Sequence, residues 1–104
     1  MPFVPGAITP SEVLALLERG YTLQKFFPAE VAGGMPFLKS IASPIPEASF
    51  MPTGGIRADR AADYLALPNV SAVGGSWLSP PALLAAGAFD EIASLARDAA
   101  QIGV

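Results

Sequence analysis

Ser49-Phe50-Met51-Pro52-Thr53-Gly54-Gly55 decides the fold: a short apolar strand runs straight into a glycine pair, and a helical stretch follows at once. Residues 58–67 carry Ala61, Ala62, Leu65 and Ala66 at spacings that predict one buried helix face, and Pro68-Asn69 then turns the chain. The same grammar repeats downstream. Val70-Ser71-Ala72-Val73 reads as a strand ended by Gly74-Gly75-Ser76-Trp77. Ser79, ahead of Pro80-Pro81, is positioned to cap a short helix, and residues 89–101 form the last one.

Upstream the pattern is the same. Met1-Pro2-Phe3-Val4-Pro5-Gly6 is a short apolar run ended by glycine, and Thr9-Pro10-Ser11-Glu12 matches a capping box with proline at the first helical position. Val13, Leu14, Leu16 and Leu17 supply that helix with an apolar face, and Gly20 stops it. Residues 22–27 read as a second strand. Gly33-Gly34 opens a loop before a short helix over 35–41, which the prolines at 44 and 46 close. The order is four consecutive βα units. Short strands, apolar on both faces and separated by single helices, imply an α/β fold with a parallel sheet and right-handed crossovers. An open doubly wound sheet and a segment of a (β/α) barrel both satisfy the pattern. In a barrel, chemistry gathers at the carboxyl ends of the strands and phosphate is held by the loops after the last two; here those two strands end in Gly54-Gly55 and Gly74-Gly75.

Composition narrows the function classes. With 104 residues, 52% hydrophobic and 14% charged, the chain has enough apolar surface for one modest domain. The net charge of -3 and six scattered basic residues make no patch for a nucleic acid. Cysteine and histidine are both absent, which excludes disulfides, thiolate catalysis, zinc sites of the usual kind and a Ser-His-Asp triad. Acid–base work falls to carboxylates, lysine or tyrosine. No stretch of about 18 apolar residues spans a membrane and no signal-peptide pattern opens the chain, so a cytoplasmic location is the default expectation. The mean hydropathy of +0.47 is high enough to expect apolar faces covered by something beyond these residues.

Lys25 is the residue with the most chemistry in it. It lies inside Leu23-Gln24-Lys25-Phe26-Phe27-Pro28, an apolar run that reads as a buried strand. A lysine in apolar surroundings loses affinity for its proton and becomes an amine able to attack a carbonyl and form a Schiff base. The competing reading is a lysine whose stem packs while its head reaches water. Phe27 shares a face with Lys25 by strand alternation and either walls the amine or belongs to the core. Each glycine pair lets backbone N–H groups approach an anion near a helix N-terminus, or simply makes a tight turn; two pairs on successive strands point to a phosphate cup. Ser76 adds a hydroxyl to that cup or makes a local turn contact. Thr53 presents its hydroxyl at the same rim, to substrate or to its own backbone. Glu30 is the one carboxylate well placed to approach the site, with loop ordering as its simpler role. Arg57 reads as an exposed helix-start residue, and Trp77 as packing at the end of the last strand.

Several motifs in order carry a family resemblance. Tyr21-Thr22-Leu23-Gln24-Lys25-Phe26-Phe27-Pro28-Ala29-Glu30, Pro52-Thr53-Gly54-Gly55-Ile56 and Val73-Gly74-Gly75-Ser76-Trp77-Leu78 resemble the KDPG/KHG aldolase family, as do Asp63-Tyr64-Leu65-Ala66-Leu67-Pro68-Asn69-Val70 and Val4-Pro5-Gly6. The resemblance implies a class I aldolase, with no metal or other cofactor. It cleaves 2-keto-3-deoxy-6-phosphogluconate to pyruvate and glyceraldehyde 3-phosphate, often acting on 4-hydroxy-2-oxoglutarate as well. It makes Lys25 the Schiff-base lysine, lines the substrate site with Phe27 and Thr53, and gives the phosphate to Gly54, Gly55, Gly74, Gly75 and Ser76.

The resemblance covers only the C-terminal half of a TIM (β/α)8 barrel, strands five to eight, whereas a full barrel needs at least about 200 residues. Residues 1–104 are therefore expected to be a single partial barrel domain. The half that is not matched carries the family's acid–base glutamate and the arginine for the substrate carboxylate; Gln24 and Met51 are milder departures. Four βα units alone expose two strand edges and an apolar inner face. The expected cover is a homo-oligomer, a trimer by family, or a complementary half-barrel. A truncated frame, one piece of a split enzyme and a self-pairing half all fit, with Met1 at a strand start pointing to truncation. The alternative function is a non-catalytic half-barrel that binds phosphate or a sugar phosphate.

Overall fold

The computed structural model describes residues 3–102. Within them the chain runs β1 (Gly6–Ala7), α1 (Pro10–Glu18), β2 (Leu23–Phe26), α2 (Gly34–Ala42), β3 (Ser49–Pro52), α3 (Ala58–Leu65), α4 (Pro81–Ala86) and α5 (Phe89–Ala100). The three strands form one parallel sheet in the order β1-β2-β3. Lys25 is in register with Gly6 on one side and Met51 on the other, so β2 is the central strand.

Strand alternation sorts the side chains. Gln24 and Phe26 of β2 and Phe50 and Pro52 of β3 are buried, while Leu23, Lys25, Ser49 and Met51 are only half-buried. The buried set meets the helices in one cluster with Val13 of α1, Leu38 and Ile41 of α2, and Ala61 and Tyr64 of α3. Phe26 stacks on Phe37, centroids 4.9 Å apart and planes within 7°. Full burial of side chains this size contributes roughly 1.5–3 kcal/mol each, so this layer dominates the fold's stability. The opposite face of the sheet is the open one. Across it the Ser49 and Ser71 hydroxyls share a short hydrogen bond.

Local signals place the helices. Thr9 Oγ1 accepts the Glu12 N–H at 3.2 Å, and Glu12 reaches back to accept the Ile8 N–H at 3.2 Å and the Thr9 hydroxyl at 3.0 Å, the expected capping box with Pro10 at the first helical position. α1 ends in a Schellman turn, with Tyr21 N–H on Leu16 O and Gly20 N–H on Leu17 O, and Gly20 at φ 90° takes the left-handed conformation this requires.

Five expectations need correction. The first strand, expected over 1–6, is Gly6–Ala7: Pro5 has no N–H to give a ladder, although its carbonyl accepts from Lys25, and residues 1 and 2 lie outside the described residues. In α1 the buried stripe is Val13 with Leu16 and Leu17, at i, i+3 and i+4, and Leu14 is 49% exposed on the next face round. In α3 the stripe is Ala61, Tyr64 and Leu65; Ala62 and Ala66 point outward. The expected strand over 70–73 reduces to two parallel bridges, Phe50 with Val70 and Thr53 with Gly74. Three steps along β3 thus match four along the neighbour, and that extra residue breaks the ladder as a bulge does. Ser79 does not cap α4: the helix starts at Pro81, one residue too far for its hydroxyl, and the Ser79 N–H donates to Ser76 O at 3.1 Å.

Candidate active site

The carboxyl ends of the parallel strands lie on one rim, and β2 brings Lys25 to it. The run around Lys25 is buried on one face only: Gln24 takes the core position, its amide donating to Val13 O at 3.1 Å and Tyr21 O at 3.0 Å, and Lys25 points to the open face. The lysine is therefore not enclosed as its apolar neighbours suggested. Its Nζ sits 4.8 Å from the centroid of the Phe27 ring, a cation–π contact at a half-exposed site. Phe27 is 50% exposed and belongs to this rim, not to the core.

The first glycine turn also packs against Phe27. A Cβ on Gly54 would lie 3.1 Å from Phe27 Cδ2 and 3.1 Å from Pro28 Cα, a tight fit that its neighbours would have to yield to. Thr53 N–H donates to Phe26 O at 2.9 Å, Ala29 N–H to Thr53 O at 2.8 Å and Glu30 N–H to Gly54 O at 3.2 Å, which staples the loop after β2 to the turn after β3. Gly54 and Gly55 hold φ of 104° and 74°, where only glycine is unstrained.

The second turn is reached through Thr53. A Cβ on Gly74 would meet Thr53 Oγ1 at 2.5 Å, so glycine here is a matter of close approach. The Thr53 hydroxyl donates to Met51 O at 3.3 Å, the local backbone contact. The Gly74 N–H donates to Pro52 O at 2.9 Å and is already committed to the sheet. Beyond it the Trp77 ring folds back onto Gly75, in the space a side chain there would need. Ser76 is exposed, and its carbonyl accepts from Ser79. Lys25, Phe27, Thr53, Gly54 and Gly74 thus form a continuous set of neighbours, Gly55 and Gly75 extend it, and Ser76 stands at its outer margin.

Glu30 is engaged within the scaffold. Its carboxylate accepts the Tyr64 hydroxyl at 2.7 Å, and its Cβ and Cγ lie against Gly55. Burial, the hydrogen bond to Glu30 and that carboxylate's charge push the Tyr64 phenol up to about 12. Tyr64 was the residue missed from sequence; its spacing of three from Ala61 was the available signal. Arg57 is exposed and pairs with Asp59 at 3.6 Å. Among the described residues no group of three or more His, Cys, Asp or Glu side chains could hold a metal ion, and no helix is long and apolar enough to cross a membrane.

Comparison with known proteins gives the family. The family model for KDPG and KHG aldolase matches residues 1–95. The 2-dehydro-3-deoxy-phosphogluconate aldolase of Pseudomonas aeruginosa is 42% identical over 99 residues, covering 95% of this chain and 45% of that protein. The KHG/KDPG aldolase of Escherichia coli K12 is 46% identical over 101 residues, covering 97% and 47%. Among solved structures, a KDPG aldolase from Legionella pneumophila, with pyruvate captured as a covalent carbinolamine intermediate, superposes with a TM-score of 0.88 at 43% identity, over 91% of this chain and 46% of that one. The Zymomonas mobilis ZM4 2-keto-3-deoxy-6-phosphogluconate aldolase, solved with 3-phosphoglycerate, gives a TM-score of 0.83 at 38% identity, over 95% and 46%. The chain spans about half the length of the relatives it matches. Within that span, an α/β chain with a parallel sheet, these motifs and this likeness belongs to the KDPG and KHG aldolase family.

Proposed function

We propose that these residues are one domain's C-terminal half, four βα units of a (β/α)8 barrel, and carry the nucleophile and phosphate site of a class I aldolase acting on 2-keto-3-deoxy-6-phosphogluconate. The observation that carries the reading is the Phe27 ring, which both the Lys25 amine and the Gly54 turn approach. A ketone beside the amine then has its phosphorylated end within reach of the glycine turns. In the reaction, the Lys25 amine adds to the C2 ketone, the carbinolamine loses water, and an iminium forms. The C3–C4 bond breaks as the C4 hydroxyl gives up its proton. The bonding pair moves into the iminium, leaving an enamine of pyruvate and releasing glyceraldehyde 3-phosphate. Protonation at C3 and hydrolysis return the amine and free pyruvate.

Gly54, Gly55 and Gly75 suit the phosphate because a bare backbone brings N–H groups close to its oxygens, with the Ser76 hydroxyl at the margin. Gly74 contributes by letting Thr53 approach, since its own N–H is engaged. Proton transfer and the hold on the substrate carboxylate fall to the glutamate and arginine of a complementary half-barrel, which also covers the open sheet face. The test is incubation of the chain with pyruvate and borohydride followed by intact-mass and peptide analysis. One reduced pyruvate on Lys25, absent in Lys25→Ala with the fold unchanged by circular dichroism, is the expected result. A folded chain that takes up no pyruvate refutes the catalytic reading; stabilisation by phosphate without an adduct then identifies a phosphate-binding module.

A further inference from the structure

We infer that Glu30 and Tyr64 form a strut that positions the Gly54-Gly55 turn against the lysine strand and so sets affinity for the substrate's phosphate end, neither residue touching the substrate. The inference rests on the aldolase reading for its functional consequence and on geometry alone for the strut.

The turn needs an external brace. Both of its glycines sit at positive φ, and Gly55 is exposed, so its backbone has more freedom than any other residue type would give it. Glu30 meets the turn at two points and is anchored to α3 at a third. Its N–H donates to Gly54 O at 3.2 Å; its Cβ and Cγ lie 3.0 and 3.1 Å from where a Gly55 Cβ would be; its carboxylate accepts from Tyr64 at 2.7 Å. Tyr64 is fully buried on α3, the helix that begins three residues after Gly55, so the strut closes a ring of turn, helix, phenol, carboxylate and loop. The phenol oxygen also lies 3.1 Å from the position a Cβ on Gly34 would take, at the start of α2, so a side chain there would crowd it. Packing needs only the Tyr64 ring. The hydroxyl has a separate task, which is to hold an otherwise exposed carboxylate in one place with a charge-assisted hydrogen bond. The raised phenol pKa agrees with that bond being made throughout the neutral range.

The experiment compares Tyr64→Phe, Glu30→Ala and Glu30→Gln in the whole chain, with residue-resolved amide exchange as the first readout. Exchange at Ala29 and at position 30, whose N–H groups donate to Thr53 O and Gly54 O and so tie the loop to the turn, should rise about tenfold in Tyr64→Phe and Glu30→Ala, the cost of one hydrogen bond to a charged group, with Phe26 and Phe50 unchanged. Glu30→Gln, which keeps an acceptor, should fall between. The second readout sets the affinity for inorganic phosphate against the rate of pyruvate adduct formation on Lys25: phosphate binding should weaken while the adduct rate holds. Unchanged exchange at both of these amides overturns the strut. So does a uniform rise across the core with both functional readouts falling together, which is general loosening. A wild-type chain with no adduct and no phosphate binding defeats the aldolase reading and with it the functional half of this inference, while the exchange data still decide the strut.

Discussion

Gly74→Ala tests the reasoning about the rim most directly. Gly74 is not in the left-handed region, so its backbone accepts alanine, and loss of unfolded-state freedom alone would stabilise by about 0.4–1 kcal/mol. The new methyl, however, would stand 2.5 Å from Thr53 Oγ1, 3.0 Å from its Cγ2 and 3.3 Å from its Cβ. Thr53 cannot simply turn away: it is β-branched, and its hydroxyl is held by Met51 O. Overpacking of this kind costs about 1–3 kcal/mol, which leaves a net loss of about 1–2 kcal/mol. Thr53→Ala alone gives up a long hydrogen bond and should cost about 0.5–1.5 kcal/mol. The double variant removes the collision, so its stability should return close to that of Thr53→Ala. Urea unfolding of the four proteins, read as midpoints at a common slope, measures the coupling. Additivity within about 0.3–0.5 kcal/mol would mean that the two residues do not touch, and the proposed closeness of the two turns would be wrong.

Other outcomes follow from single contacts. Gln24→Ala removes two hydrogen bonds and opens space in the core, for a loss of about 2–3 kcal/mol in urea unfolding. Gln24→Leu should cost about half of that, because it refills the volume and deletes Oε1, which finds no partner among the described residues. Glu12 has its folded-state pKa held below the ordinary 4.5, first by the Ile8 N–H and then by the Thr9 hydroxyl. Its contribution is present above the unfolded carboxylate range and is lost as pH falls through the lower folded value. Glu12→Gln should therefore flatten this part of the acid limb of a stability–pH profile. Tyr64 works at the other end: its folded pKa of about 12 lies above the ordinary 10, so between those values the unfolded phenol ionises first and stability drops. Subtracting the Tyr64→Phe profile from wild type should isolate that alkaline decline; identical slopes would show that the phenol is not perturbed.

The helix signals were legible because they are local. The Thr9 to Glu12 box and the Gly20 stop each need only a few neighbouring residues, and both occur as expected. Faces were harder. Hydrophobicity alone points Leu14, Ala62 and Ala66 inward, whereas the neighbours each helix meets leave all three exposed and bury Tyr64 on α3. The strand over 70–73 looked as regular as β3, but pairing depends on the partner's count, and the extra residue before Gly74 is visible only in the bridges. At the rim, the residue types were readable, whereas their contacts were not. Nothing local says that Phe27 meets both Lys25 and Gly54, or that Glu30 reaches Tyr64, 34 positions away.

The placement of Trp77 has a practical side. It is the chain's single tryptophan, and its indole lies over Gly75 at the second glycine turn. The protein therefore carries its own optical reporter: if the proposed phosphate site is filled, the polarity around the fluorophore should change, and emission would follow occupancy in real time with no label attached.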